Sequence, residues 1–226
     1  QPNDIRGTYR AIDISAQHFT DLWESSELQK NKLSPQVIPL RRDTPIWGGC
    51  RDQGSGSKNP VTGSNWCPMT NTISLVVDQL AEIYSKYEDG STFFVVGHEF
   101  AHALQTYRFG MGNDLPDPLH ELQADCISGI FSYNARQKLN ITSVDYAEMT
   151  GAANYLGLTG NPESHGTGSQ RRNAFLTGLG FFQGTCEEKD IQKIAYSSDA
   201  NLDRTYALKL AEYSPKRSLS SKSSNS

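Results

Sequence analysis

The chain has 226 residues, of which 36% are hydrophobic and 20% charged, and its formal net charge is -4. This length and apolar share suit one compact domain with a buried core, and mild acidity without a basic block argues against nucleic acid as a partner. No apolar run approaches the roughly 18 residues that span a bilayer, and Gln1 is not an initiator Met, so the chain reads as a mature or trimmed form that does not insert in a membrane and has lost any upstream signal or anchor.

Residues 1–14 are polar, with Ile12 and Ile14 alternating too briefly for more than a short strand, and they read as irregular surface chain. Ser15 is placed to cap a helix carrying Phe19, Leu22 and Trp23 at three-and-four spacing, with Pro35 beyond its end. Val37, Ile38 and Leu40 form a short predicted strand that Pro39 assigns to a sheet edge. Asp43 to Pro68 is rich in glycine and proline and reads as a long loop, of the kind that often carries function. Between Asn71 and Val77, the residues Ile73, Leu75 and Val77 alternate with Thr72, Ser74 and Val76, the pattern of a half-buried strand.

A helix from Asp78 to Tyr87 is expected next, then a break at Gly90 and a second helix capped by Ser91 or Thr92. Phe93, Val96, Phe100, Leu104 and Tyr107 give that helix a core face, and Gly110 is its stop signal. Asp117 and Pro118 act as N-cap and first-turn proline of a helix to about Leu139, apolar along Leu119, Leu122, Ile127, Ile130 and Phe131. Its second stripe, Glu121, Asp125, Ser128 and Ser132, is polar and by itself would be a solvated face. Beyond Cys186, Ile191, Ile194 and Ala195, then Tyr206 and Leu210, mark two short helices. The Ser-rich segment 214–226 reads as a flexible tail.

Cys50, Cys67, Cys126 and Cys186 include no Cys-x-x-Cys pair, which argues against a zinc ribbon or thioredoxin-like redox chemistry. Pairing neighbours, Cys50 with Cys67 and Cys126 with Cys186, gives two disulfides that would restrict the unfolded chain by about 3 and about 4 kcal/mol. The alternative is four buried thiols in a reducing compartment.

The chemistry centres on the apolar run Val95 to His102, which ends in His98-Glu99-x-x-His102. Positions four apart share a helix face, so both imidazoles can address one ion, and the geometry suits Zn²⁺. Glu99, roughly 100° round the helix, can reach a water beside the ion and serve as general base. A catalytic zinc usually has three protein ligands. An extended motif of the metzincin type would need Gly and His where the chain has Gln105 and Arg108, so the third ligand lies elsewhere. Glu121 is well placed at the start of a helix that can pack on the first, while Glu148 and Glu163 stand in less favourable contexts. Asp125, one turn after Glu121, could accept the second ring N–H of a ligand histidine.

Taken together, His98-Glu-x-x-His102, Glu121-Leu-Gln-Ala-Asp125-Cys126 and His165-Gly-Thr-Gly-Ser-Gln-Arg171 resemble the motifs of the bacterial neutral zinc metallopeptidase family. The likeness runs from about residue 22 to 187, leaving 188–213 as a helical extension of a single domain that covers 1–213. It implies an α+β, zincin-like fold, mostly helical with a small mixed sheet. It further implies one catalytic zinc on His98, His102 and Glu121, Glu99 as base, and an extracytoplasmic setting, commonly with an upstream membrane anchor. One departure stands out: relatives carry a Gly-Asp-Asp element where this chain reads Gly157-Leu-Thr-Gly160.

His165 has two readings, a donor to the oxyanion of the tetrahedral intermediate or a structural residue in a Gly-rich turn, and Tyr133, Tyr146 and Tyr155 compete for the donor role. His18 and His120 read as surface or cap residues. The expected activity is hydrolysis of a peptide or protein substrate, possible as a strand added beside Thr72 to Val76. A zinc-stabilised adhesion or regulatory module without turnover would use the same ligands, but a purely structural metal does not require Glu99.

Overall fold

The computed structural model describes residues 2–27, 32–42, 44–47, 58–60, 63–109 and 115–213. Gly110, Cys50, much of the expected 43–68 loop and the 214–226 tail lie outside the described residues.

The first element, α1 (Pro2–Glu24), is one continuous helix and replaces the irregular segment and Ser15 cap expected from sequence. Its buried positions are Thr8, Ala11, Ile12, Ser15, His18, Phe19 and Trp23, which follow helical spacing throughout. Three of the seven are polar, so the apolar periodicity fades toward the N-terminus although the helical face continues. Phe19 packs among Phe93, Phe100 and Phe131, and Trp23 against Phe100 and Tyr107.

A three-stranded mixed sheet has the order β1 (Gln36–Leu40), β5 (Thr72–Val76), β4 (Asn65–Cys67), with β1 parallel and β4 antiparallel to β5. Pro39 therefore sits on an edge strand, as its missing N–H requires. The central strand is more enclosed than its alternation suggests, because every residue from Ile73 to Val76 is buried. Strands lie on both sides of β5, so, contrary to the expected strand addition beside Thr72 to Val76, it has no open edge for a substrate. A separate antiparallel pair joins β2 (Pro45–Trp47) to β3 (Lys58–Pro60).

The chain leaves β5 directly into α2 (Val77–Phe109). The break expected at Gly90 falls instead at Tyr87 (φ -134°, ψ 19°) and Glu88 (φ 49°, ψ -153°), and neither Ser91 nor Thr92 caps a helix start. Ser91 instead donates its hydroxyl to the Glu88 carbonyl, and Gly90 serves packing: a Cβ there would come within 2.8 Å of the Asp145 carbonyl. Phe93, Phe94, Val95, Val96 and Phe100 are all buried, so this segment is enclosed on nearly every side.

Next comes α3 (Asp117–Ala135), N-capped by Pro116 and not by Asp117, and ending four residues before the expected Leu139. The supposedly solvated stripe is interior: Asp125, Ser128 and Ser132 have no exposure, and Ser128 donates to the Phe94 carbonyl of α2. Capping boxes Thr142/Asp145 and Thr167/Gln170 start α4 (Ser143–Thr159) and α6 (Gly168–Gly178), separated by the single turn α5 (Pro162–His165). The two expected C-terminal helices are present as α7 (Glu188–Ala195) and α8 (Asp199–Tyr213).

Two glycines set the distance between α3 and α6. A Cβ on Gly178 would lie 1.7 Å from the Cys126 carbonyl oxygen, and one on Gly129 would lie 2.2 Å from that of Phe175. Only the absence of side chains lets the two backbones meet here. A Cys126–Cys186 disulfide, 60 residues apart in sequence, fastens the same region. Cys67 is also disulfide-bonded, while its expected partner Cys50 lies outside the described residues. Among the described residues no helix is long and apolar enough to cross a membrane.

Candidate metal centre

His98 and His102 lie one turn apart on α2, and Glu121 reaches them from the second turn of α3. The Nε2 atoms of the two histidines are 3.0 Å apart. Glu121 Oε2 lies 3.1 Å from His98 Nε2, and its Oε1 lies 3.4 Å from His102 Nε2. Bonds of about 2.0–2.1 Å to a tetrahedral zinc place ligand atoms about 3.3 Å from one another, so these three side chains converge at a spacing that could hold a metal ion. Two imidazole lone pairs and a carboxylate in so small a volume need a cation or extra protons between them.

The electrostatics agree. Burial disfavours the charged His98 ring, but Asp125 and Glu121 outweigh it and push its pKa up to about 10. Burial likewise works against ionised Glu121, yet hydrogen bonds from His102 and His98 hold its carboxyl far below the usual range. The cluster is built to receive positive charge.

Asp125 meets the ring of His98 from α3. His98 Nδ1 donates to Asp125 Oδ1 at 2.8 Å, leaving Nε2 for an ion. Arg171 of α6 grips the same carboxylate twice, Nε to Oδ2 and Nη2 to Oδ1, each at 2.8 Å. Burial resists ionisation of Asp125, but Arg171 and His98 hold its pKa below the ordinary value. Arg171 stands on α6, the helix whose backbone the two glycines let approach α3. In sequence Arg171 only ends the His165 motif, since a pairing across 46 residues leaves no local signal.

A cavity of about 590 Å³ opens at the cluster, lined by His98, Glu99, His102, His120, Glu121, His165 and Arg171 together with Asn65 and Trp66 of β4. Glu99 is buried at its wall, and desolvation raises its pKa against the opposing pull of His98 and His102 and of the Trp66 main-chain N–H. His165 borders this cavity from the exposed end of α5, with Nδ1 2.6 Å from Ser164 Oγ. Tyr133, Tyr146 and Tyr155 do not line it. Glu148 instead accepts from the Gly90 N–H, and Glu163 is exposed in α5, so neither joins the two histidines.

The remaining histidines are not surface or cap residues. His120 stacks on His102 with ring planes 9° apart, and its Nε2 lies 3.1 Å from His102 Nδ1. Burial and the neighbouring His102 ring lower its pKa to about 4, so it is neutral near pH 7. His18 is buried beside Phe19 and Phe93 with neither ring nitrogen hydrogen-bonded among the described residues, and burial lowers its pKa too. Its place three residues after Ser15 and four before Leu22, on the inward face of α1, is the available signal.

What the fold and side chains define is thus a helical domain with a His–His–carboxylate group able to hold a metal at the base of a cavity. The chain is similar to the proteins named Uncharacterized protein YpfJ of Escherichia coli K12 and of E. coli O6:H1. Each is 21% identical over 222 residues, covering 78% of this chain and 77% of the relative. No family model and no solved structure matches the chain.

Proposed function

We propose that the chain is a zinc-dependent peptidase that hydrolyses internal peptide bonds in the manner of the neutral zinc metallopeptidases its motifs resemble. The observation that carries the reading is Glu99: a carboxylate buried at the wall of the cavity, on the helix that brings His98 and His102 to Glu121. A metal held only for structure gains nothing from this residue. Zinc is favoured over magnesium or calcium because two of the three donors are imidazoles. When bound, the ion would supply Lewis acidity, lowering the pKa of a water and polarising a carbonyl.

The protein groups then have distinct tasks. Glu99, whose burial raises its pKa and so makes its carboxylate a stronger base, accepts the proton of the attacking water in its ionised form and returns it to the leaving amine. His165, at the rim, donates to the oxyanion that develops on the substrate carbonyl. Asp125 and Arg171 keep His98 aimed. An extended substrate lies along β4, the sheet edge whose Asn65 and Trp66 line the cavity, and takes main-chain hydrogen bonds there. The Cys126–Cys186 bond fits an oxidising, extracytoplasmic compartment.

The test is Glu99→Gln, assayed with a mixed peptide library and by metal analysis. Hydrolysis should fall by about 10²–10⁴-fold with zinc still bound. Turnover near the wild-type rate would remove Glu99 from the mechanism, and no hydrolysis by zinc-loaded wild type of any peptide would favour a binding module.

A further inference from the structure

Asp125 accounts for the orientation of His98, but His102 needs its own partner. Its Nδ1 has two neighbours, His120 Nε2 at 3.1 Å and Gln105 Oε1 at 2.9 Å. A contact between two imidazoles does not decide which ring holds the proton, since either nitrogen can donate to the other. Gln105 does decide it. This residue has no exposure, and its Nε2 lies 2.9 Å from the His120 main-chain oxygen and 3.0 Å from Gln123 Oε1.

A main-chain carbonyl only accepts, so the amide nitrogen of Gln105 must face His120 and its oxygen must face His102. Gln123 is fixed by the same logic, because its Nε2 donates to the Cys186 main-chain oxygen at 2.9 Å and leaves its Oε1 for Gln105. Cys186 in turn is bonded to Cys126 of α3. We propose that Gln105 is the positioning residue for His102. With both amide hydrogens committed, it offers the imidazole only an acceptor, so His102 keeps its proton on Nδ1 and presents the Nε2 lone pair to the metal. Gln123 and the disulfide-anchored carbonyl prevent Gln105 from turning over. The two ligand histidines are thus oriented by different chemistry, His98 by a carboxylate and His102 by a neutral carboxamide.

The inference rests on the metal-centre reading and not on peptidase activity, so its test is zinc binding. Full-length wild type, Gln105→Leu and Gln105→Glu are titrated with Zn²⁺ against a chelating dye, and the zinc-loaded forms are inspected by ¹H–¹⁵N NMR for the His102 Nδ1 proton. Glutamate keeps an acceptor for Nδ1 but loses both donors toward α3, so it separates positioning from mere cross-linking. Gln105→Leu should lose about 10–100-fold in affinity together with the protected proton, whereas Gln105→Glu should keep the proton and lose less affinity than the leucine variant, its second oxygen facing the His120 carbonyl and Gln123 Oε1 with no hydrogen to give. A glutamate variant as weak as the leucine variant, or a leucine variant as tight as wild type, overturns the assignment. Should Gln105→Leu fail to fold, the proton signal decides: its absence from zinc-loaded wild type overturns the proposal. If wild type itself binds no zinc, the metal centre fails first and the proposal with it.

Discussion

Removing the carboxylate of Asp125 should damage the fold more than it damages metal binding directly. Asp125 has no exposure and accepts three hydrogen bonds, two of them from Arg171, whose side chain is only 6% exposed. In Asp125→Ala the guanidinium stays buried without its counter-charge, and breaking a buried pair from one side costs about 3–5 kcal/mol. For a domain above 150 residues each kcal/mol lowers the melting temperature by about 2–4 °C, so a fall of about 6–20 °C is expected. The measurement is thermal unfolding by circular dichroism in excess chelator, which excludes any contribution from bound metal. Replacing both partners, Asp125→Leu with Arg171→Met, removes the stranded charge and should recover part of the loss. If Asp125→Ala melts within about 2 °C of wild type, or if the double variant is worse than the single by the full cost of Arg171, then the pair is not the clamp described here.

Gly178→Ala should also be destabilising and should weaken zinc binding, since its Cβ would meet the Cys126 carbonyl at 1.7 Å and force α6, with Arg171, away from α3; unchanged zinc affinity and melting would refute the close approach. Replacing Cys126 and Cys186 with alanine together should cost about 4 kcal/mol in denaturant unfolding and lower zinc affinity through Gln123; equal affinity in the folded variant would separate the disulfide from the site. Asp78, held by hydrogen bonds from Arg41 and then the Arg42 main-chain N–H, has its pKa lowered from 3.8 to about 2. Its depressed folded pKa adds stability above about pH 4 that disappears as the pH falls through about 2. The difference in melting temperature between wild type and Asp78→Asn should accordingly shrink over that window, and a constant difference would count against it.

The part of the site carried by α2 and α3 was readable because its signals are local. Helical spacing puts His98 and His102 on one face, the ligand requirement of zinc points to a third residue, and one further turn leads from Glu121 to Asp125. The sheet order was half readable: Pro39 marks β1 as an edge, but nothing in Thr72 to Val76 distinguishes a central strand from a half-covered one. The roles of Arg171, Gln105 and Gln123 leave no local signal because they arise from packing between helices, and a buried glutamine looks in sequence like any polar residue. The N-terminal half of α1 is illegible for a related reason: its inward face is Thr8, Ala11 and Ile12, too short and too polar to show an apolar period. The sequence puts the α2 break at Gly90, whose role is close contact with α4, while the backbone turns at Tyr87 and Glu88.

The order of contacts along the chain has a consequence for how the centre assembles. His98 and Glu121 are 23 residues apart, Asp125 and Arg171 are 46 apart, and Cys126 and Cys186 are 60 apart. Closing a flexible segment costs about 0.6 kcal/mol more for each doubling of its length, and nearby contacts form sooner than distant ones. Loop closure alone therefore favours a meeting of His98 with Glu121 before Arg171 reaches Asp125 and before the sulfurs join. Under that order, the candidate centre would meet an ion while its geometry is still adjustable.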